Sequence, residues 1–225
     1  MKKGLRDYTL DFLVIVAGIT VSLYAGSRLE LRQQRQEEVR ILENLRDNLI
    51  ADTISIGQEL SVLNNCQRRY GYLLSNSLVE SIDSVAIVFS SLLIYTTNEI
   101  RESAYEEMKH SGKMGIIENK ELLNNIIRHY ESSKLLVDEY NSIDKHFILN
   151  RMIPFIESSF PWYSSASFYD PAELPEILQF LQQSAMRNLV QSNLIFKTNT
   201  IVTYHQYVES AQSIITMIEA ELEKR

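Results

Sequence analysis

The stretch that decides the fold is DFLVIVAGITVSLYAGS, residues 11–27, an apolar run that begins with a single aspartate. Extended back to Tyr8, the run from Tyr8 to Gly26 spans about 28 Å as a helix at 1.5 Å per residue. That length is close to the roughly 30 Å hydrocarbon core of a bilayer. The sequence therefore predicts a transmembrane helix over residues 8–27, preceded by a short basic tail over residues 1–7.

Two features argue against other interpretations of this run. A cleaved signal peptide needs small residues before its cleavage site, and Leu23 and Tyr24 do not fit that pattern. The basic cluster of Lys2, Lys3 and Arg6 ahead of the run is not expected before a buried helix of a soluble protein. We therefore expect the helix to be retained in the membrane.

Small residues recur at a spacing of four along this helix. Gly18, Ser22 and Gly26 fall on one face, where they allow a second helix backbone to approach closely. The pattern predicts self-association within the bilayer, and therefore a homo-oligomer.

Asp11 lies seven residues before Gly18, close to two turns, and so falls on the same face. An acidic group at membrane depth is costly and marks a candidate functional site, here a carboxylate that binds a proton or another cation. Alternatively, Asp11 reaches the headgroup water and interacts with the positive N-terminal end of the helix dipole. The sequence leaves both interpretations open.

The chain after the membrane helix is predicted to continue as a helix. Residues 28–40 are polar nearly all round, as expected of a stalk. Beyond them, three long segments carry apolar residues at the heptad spacing of a coiled coil or helical bundle. The three rows are Leu42, Leu45, Leu49, Ile56 and Leu63; Leu123, Ile126, Tyr130, Val137, Tyr140 and Phe147; and Leu194, Ile201, Val208, Ile215 and Leu222 with Tyr204, Ala211 and Ile218. We predict an all-α fold in which residues 41–225 form an antiparallel helical bundle.

Shorter elements are predicted between these segments. Residues 81–95 form an apolar run whose helical surroundings favour a helix. Thr96 with Glu99 resembles a capping box, and the Ser-Gly pair at residues 111–112 resembles a helix stop. Asn119 is placed to cap the next helix, so we expect a helical hairpin with a short glycine-containing turn.

Several of these features occur together in one known family. The chain has an acidic residue entering IVAGI, a basic stalk that contains Glu, and SAYEEMKHSGKMGIIENKELLNNIIRHY at residues 103–130. In this combination it resembles an uncharacterised family of bacterial single-span membrane proteins, a domain of unknown function, from residue 8 to about residue 150 and more weakly to the end. Members usually carry an Asn-Trp pair just after the span, where this chain has AGSR at residues 25–28. The resemblance implies an N-terminal membrane helix and a helical extramembrane domain, and no activity.

Basic residues on the two sides of the span are nearly balanced. They are Lys2, Lys3 and Arg6 before it, and Arg28, Arg32, Arg35 and Arg40 after it. Because a short basic tail before the first helix often decides the orientation, we expect a cytoplasmic tail. The predicted location is the bacterial inner membrane, with the C-terminal domain in the periplasm.

The segment at residues 153–176 interrupts the helical pattern with prolines and many aromatic residues. Long loops within compact domains are often functional, and aromatic side chains anchor many interfaces. One interpretation is a surface for a protein partner, formed by Phe160, Trp162, Tyr163, Phe168 and Tyr169. The other is that these rings close the open end of the bundle.

Composition and motifs argue against several classes of function. The net charge of −7 is unfavourable for nucleic-acid binding, which needs a positive surface. Cys66 is the single cysteine, so no internal disulfide and no cysteine-rich metal site can form. The four histidines are scattered, and His205 is expected at most to meet Asp144 or His146 in an ordinary polar contact. Because HExxH, GxSxG and phosphate-binding glycine motifs are absent from the sequence, we predict no enzyme, no metal site and no cofactor.

Three functions are compatible with these features. The first, which we expect, is a membrane-anchored scaffold or interaction protein that self-associates through its membrane helix and presents the bundle to other membrane or envelope proteins. The second is a single-span subunit of an ion-coupled motor or channel that uses Asp11. The third is a ligand-sensing bundle that relays a signal to a partner.

Overall fold

The computed structural model describes residues 5–75, 82–160, 172 and 174–224, with the side chains of residues 5–11 and 82–84 excepted. Helices dominate these ranges, which confirms the all-α prediction. The helices are α1 (Leu5–Leu74), α2 (Ile82–Ser91), α3 (Ser103–His110), α4 (Lys120–Arg128), α5 (Lys134–Phe147), α6 (Ile153–Ser159), α7 (Leu174–Gln182) and α8 (Ser184–Leu222). A 3-10 turn at Lys113–Ile116 follows α3, and π-helical turns at His129–Ser133 and Ile148–Met152 join α4, α5 and α6 end to end.

The helix α1 is unbroken over 70 residues, which corresponds to about 105 Å at 1.5 Å per residue. Every side chain from Phe12 to Gln36 is exposed, so this part of α1 stands clear of the bundle. The first fully buried side chain is Glu38, and from there one side of the helix faces the core. A single helix therefore carries both the apolar segment and the first helix of the bundle.

The helix α8 packs against both α1 and the continuous helix α4–α6, and it runs antiparallel to each of them. The contacts that fix these directions are Asp52–Tyr207 and Leu74–Arg187 between α1 and α8, and Asn119–Glu221 and Asp144–Lys197 between α4–α6 and α8. The helices α1 and α4–α6 therefore run in the same direction. We call the end of the bundle nearest the exposed part of α1 the base, and the end at Leu74 the far end.

Two apolar clusters fill the bundle. The base cluster includes Leu42, Leu45, Leu49, Ile56, Leu63, Leu122, Ile126, Val137, Tyr207, Ile214 and Ile218. The far cluster includes Cys66, Tyr70, Leu73, Val85, Phe89, Phe147, Ile148, Met152, Ile156, Phe160 and Phe180. Full burial of one such aliphatic or aromatic side chain contributes about 1.5–3 kcal/mol to folding, so these clusters provide the main driving force for the bundle.

Two predicted helix boundaries are confirmed at the base. Asn119 Oδ1 accepts the backbone N–H groups of Glu121 and Leu122 at 3.1 Å each, which caps the start of α4. Gly112 directly follows the end of α3 and has a φ of 71°, a left-handed conformation that glycine adopts without a steric cost. These residues reverse the chain between α3 and α4.

Residues 94–102, which we call the strap, form neither helix nor strand and connect α2 to α3. Thr96 and Ile100 point into the bundle and are buried, whereas Thr97 and Glu99 are exposed. The capping box predicted at Thr96 and Glu99 is wrong, because no helix begins there. The inward side of the strap instead lies on buried polar side chains of the bundle.

Candidate functional site

The exposed part of α1 is the first candidate site. Among the described residues, α1 is the one helix long and apolar enough to cross a membrane: its most apolar window has a mean hydropathy of 1.7, and none of that window is buried. Large apolar side chains exposed there include Phe12, Leu13, Val14, Ile15, Ile19, Val21 and Leu23. Soluble monomers rarely leave so large an apolar surface open to water.

Polar groups in this part of α1 are arranged as a lipid environment requires. Thr20 Oγ1 donates a hydrogen bond to the carbonyl of Val16 at 2.8 Å, so its hydroxyl is satisfied within the helix. Arg28 Nη2 donates to Tyr24 Oη at 2.8 Å, and the guanidinium carbon lies 5.2 Å from the centre of the Tyr24 ring. Tyrosine and arginine are typical of the boundary between hydrocarbon and headgroups.

The residues predicted to pack membrane helices together lie on this open surface. Gly18, Ser22 and Gly26 are all exposed, and a Cβ placed on either glycine would meet no atom within 4 Å. The surface is therefore free for the close approach that the prediction needs, and the pairing itself stays a prediction. Asp11 belongs to α1, but its side chain lies outside the described part of the chain, so its role as an ion-binding group also stays a prediction.

The predicted aromatic surface is described only at its first residue. Trp162, Tyr163, Phe168 and Tyr169 lie outside the described residues. Phe160 is buried, with its ring centre 5.8 Å from that of Phe89 and 5.1 Å from that of Phe180. This ring therefore belongs to the far cluster and does not offer a free surface to a partner.

A second candidate site is a set of polar side chains inside the bundle, which we call the polar core. It comprises Asp52, Glu59 and Tyr70 of α1, Asn141 and Asp144 of α5, and Asn193, Lys197, Tyr204 and Tyr207 of α8. Glu59 and Asn141 are half-buried and the other members are buried. Groups of this kind are stable inside a protein only when they are hydrogen-bonded, so their partners explain why they are there.

The centre of the polar core is an ion pair between α5 and α8. Lys197 Nζ lies 2.6 Å from Asp144 Oδ2, and neither side chain is exposed. The same ammonium group donates to the carbonyl of Ile94 at 2.7 Å, and Asp144 Oδ2 accepts the N–H of Thr96 at 3.0 Å. Both charges therefore bind the strap as well as each other.

One level nearer the base, Tyr204 Oη lies 2.8 Å from both Glu59 Oε2 and Asn141 Oδ1. Burial raises the pKa of the Tyr204 hydroxyl, which therefore stays protonated. Glu59 Oε1 accepts the N–H of Thr97 at 3.1 Å, and Asn141 Nδ2 donates to the carbonyl of Asn98 at 3.2 Å. This level again connects the helices to the strap backbone.

The level nearest the base is centred on Asp52, which accepts the backbone N–H of Arg101 at 3.2 Å and its Nη1 at 2.9 Å. Burial raises the pKa of Asp52, and the hydrogen bonds from Arg101 partly oppose that shift. Tyr207 Oη donates to Asp52 Oδ2 at 3.2 Å, and its ring centre lies 4.3 Å from that of His129. Burial lowers the pKa of His129 to about 4, so this imidazole, 2.9 Å from Ser210 Oγ, is neutral at pH 7.

The side chains of the polar core therefore bind backbone groups of the strap that have no backbone partner. Among the described residues, no backbone-to-backbone hydrogen bond involves residues 95–101. Side chains from three helices bind the strap in their place, and at the far end Tyr70 Oη donates to the carbonyl of Ser91 at 2.8 Å and accepts from Asn193 Nδ2 at 3.0 Å. This arrangement satisfies buried backbone groups, and it can perform that role without any ligand.

Two open clefts lie at the base, with volumes of about 590 and 350 Å³. Arg35 lines both of them, and carboxylates such as Glu43 alternate with cations such as Lys224 around the larger one. Such mixed charge does not define one ligand chemistry. In the part of the chain that the structure describes, no three His, Cys, Asp or Glu side chains are grouped to hold a metal ion.

Sequence reasoning missed most of the polar core, although the heptad spacing contained a signal. Lys197 lies seven residues before Tyr204, and Asp144 lies seven residues after Val137, so both charged residues occupy core positions of their rows. His205, by contrast, is exposed and does not meet Asp144, whose partner is Lys197. A charged residue at a heptad core position predicts a buried partner at the same level of a neighbouring helix.

The chain was compared with protein-family models, with curated proteins and with solved structures, and none of the three comparisons found a match.

Proposed function

We propose that this protein is a membrane-anchored scaffold that self-associates through its membrane helix and presents a helical bundle to other membrane or envelope proteins. The observation that supports this most strongly is the exposure of every apolar side chain of α1 from Phe12 to Leu31. An apolar helix surface of that size needs lipid or protein around it. The proposed location is the bacterial inner membrane, with the bundle in the periplasm.

The connection between membrane and bundle suits a scaffold. From Ser27 to Glu38, α1 rises about 16 Å without a break, which places the base of the bundle close to the headgroup layer. Because the same helix then forms part of the bundle core, the domain is held at a fixed height above the membrane. A scaffold benefits from this geometry because its partners meet it at a defined distance.

The proposal is tested by fractionating cells that express the full-length chain and by crosslinking the membrane fraction. We expect the chain to resist alkaline carbonate extraction and to give crosslinked dimers or larger species. The double variant Gly18→Leu/Ser22→Leu should lose these species, because two leucines keep the helix backbones apart.

The matched control is Ala17→Leu, which also adds a leucine but projects about 100° away from Gly18 around the helix. It should keep the wild-type crosslinking pattern. Recovery of the full-length chain in the aqueous fraction would exclude membrane anchoring. An unchanged pattern in the Gly18→Leu/Ser22→Leu variant would exclude self-association through this face.

A further inference from the structure

Three arginines follow the apolar segment along one face of α1. Arg28, Arg32 and Arg35 are spaced four and three residues apart, so they lie within about 60° of one another around the helix. All three are exposed. Within the described residues, Arg28 contacts Tyr24, and no hydrogen bond or ion pair involves Arg32 or Arg35.

Acidic residues in the same part of α1 do not neutralise this face. Glu37 pairs with Lys113 of the bundle at 2.5 Å, and Glu38 accepts the N–H of Glu118 at 3.0 Å. Glu30 lies about 200° around the helix from Arg28, on the opposite side. Arg28 and Arg32 are therefore separated from these acids, whereas Arg35 lines the two clefts at the base together with carboxylates such as Glu43 and Glu118.

Arg28 lies at the height of the headgroups, and Arg32 starts above them. Their Cα atoms rise about 6 and 12 Å above that of Tyr24, whereas the headgroup layer is about 5–7 Å thick on each side of the bilayer; Arg35, about 16 Å above Tyr24, lies well beyond it. Side chains of a helix lean toward its N-terminus, which here is the direction of the membrane. Arg28 shows this lean, because it reaches back one turn to Tyr24.

We infer that Arg28 and Arg32 form a binding surface for the phosphates of anionic phospholipids. A guanidinium group offers a planar pair of N–H donors that matches two phosphate oxygens. Each basic residue close to an anionic membrane favours binding about fivefold. The inference rests on the proposed membrane anchoring, and it adds a preference for lipid type that anchoring alone does not require.

The test uses the full-length chain in vesicles of equal parts phosphatidylcholine and phosphatidylglycerol. The chain is excised with its surrounding lipid by a styrene–maleic acid copolymer, and the two lipids are quantified. We expect phosphatidylglycerol to be enriched over the vesicle average and the enrichment to fall with added salt. Arg28→Gln/Arg32→Gln should lose most of it, since both cations of the surface are gone and the helix remains.

The matched control is Arg68→Gln/Arg151→Gln, which removes the same charge from exposed positions nearer the far end and should keep the wild-type enrichment. Discs that contain the chain but show no enrichment, or the same enrichment for Arg28→Gln/Arg32→Gln, would overturn the inference and leave the anchoring intact. Failure to recover the chain in discs would instead overturn the anchoring. Loss of enrichment in the control variant as well would show that net charge alone is responsible, which also overturns the inference.

Discussion

Lys197 Nζ and Asp144 Oδ2 lie 2.6 Å apart in the bundle core, and both side chains are completely buried. The ion pair binds the strap from two sides, through the carbonyl of Ile94 and the N–H of Thr96. Its contribution is best judged from what happens when one partner is removed, because a buried charge without its partner is much more costly than the pair.

Replacement of Lys197 by Met should lower the free energy of unfolding by about 3–5 kcal/mol, because it leaves the Asp144 carboxylate buried and unpaired. The double variant Lys197→Met/Asp144→Leu should be destabilised by less than the sum of the two single changes. Urea unfolding of the full-length chain in detergent measures both. The control is Lys109→Met, which removes an equally short ion pair to Glu131 that is exposed and should matter far less. Equal losses for Lys197→Met and Lys109→Met would contradict the prediction.

Stability should fall as the pH is lowered from about 6.5 toward 4, in part because of His129. Burial lowers the pKa of His129 to about 4, so the unfolded chain takes up a proton in this range while the folded chain does not. This proton uptake should lower the free energy of unfolding by about 2 kcal/mol between pH 7 and pH 5. His129→Gln should remove that part of the pH dependence, whereas His205→Gln, at an exposed position, should not. Identical pH profiles for wild type and His129→Gln would contradict the assignment.

Two glycine-to-alanine substitutions should have opposite effects on thermal stability. At Gly112 the φ of 71° is unfavourable for alanine, so Gly112→Ala should cost about 1 kcal/mol. Gly57 lies inside α1 and a Cβ there would meet no atom within 4 Å, so Gly57→Ala should stabilise by about 0.5–1 kcal/mol. The melting temperatures of the two variants therefore bracket that of the wild type. A rise with Gly112→Ala would show that the turn after α3 is not held in this conformation.

Two tyrosines of α1, one buried in the polar core and one exposed, allow a matched comparison. Tyr70→Phe removes the hydroxyl that joins Asn193 to the carbonyl of Ser91, and it should cost about 1–3 kcal/mol because both groups stay buried. Tyr72 is 51% exposed, so Tyr72→Phe should change the free energy of unfolding by less than about 0.5 kcal/mol. Chemical denaturation measures both changes. Equal effects would show that the Tyr70 hydroxyl is solvated in the folded protein.

The heptad row of α1 could be predicted from the sequence because its core positions are mostly apolar. Leu42, Leu45, Leu49, Ile56 and Leu63 are all buried as expected. In α8 the prediction chose a row that includes Leu194, Val208 and Ile215, and these residues are only half-buried. The row next to it is the buried one, and it contains Asn193, Thr200 and Tyr207. Because these side chains carry polar groups, a search for apolar periodicity does not find this row.

The strap and the π-helical turns could not be predicted for a different reason. Ile148, Met152 and Ile156 are four residues apart and all buried, although a regular α-helix would turn each one about 40° further from the core. The π-helical turn at Ile148–Met152 corrects this drift by widening one turn.

The strap depends on Asp52, Glu59 and Asp144, which are distant from it in sequence. No local pattern near residues 94–102 therefore indicates it.

The unbroken course of α1 links the tilt of its apolar segment directly to the position of the bundle. Leu74 lies about 72 Å above Gly26 along a single helix, so a change of about 10° in the tilt of the membrane segment would move the far end sideways by about 12 Å. A rotation of the membrane segment about its own axis would likewise turn the bundle with it. In the proposed membrane-anchored form, a small change in bilayer thickness or in helix crossing angle would therefore displace the far end of the bundle by a much larger distance.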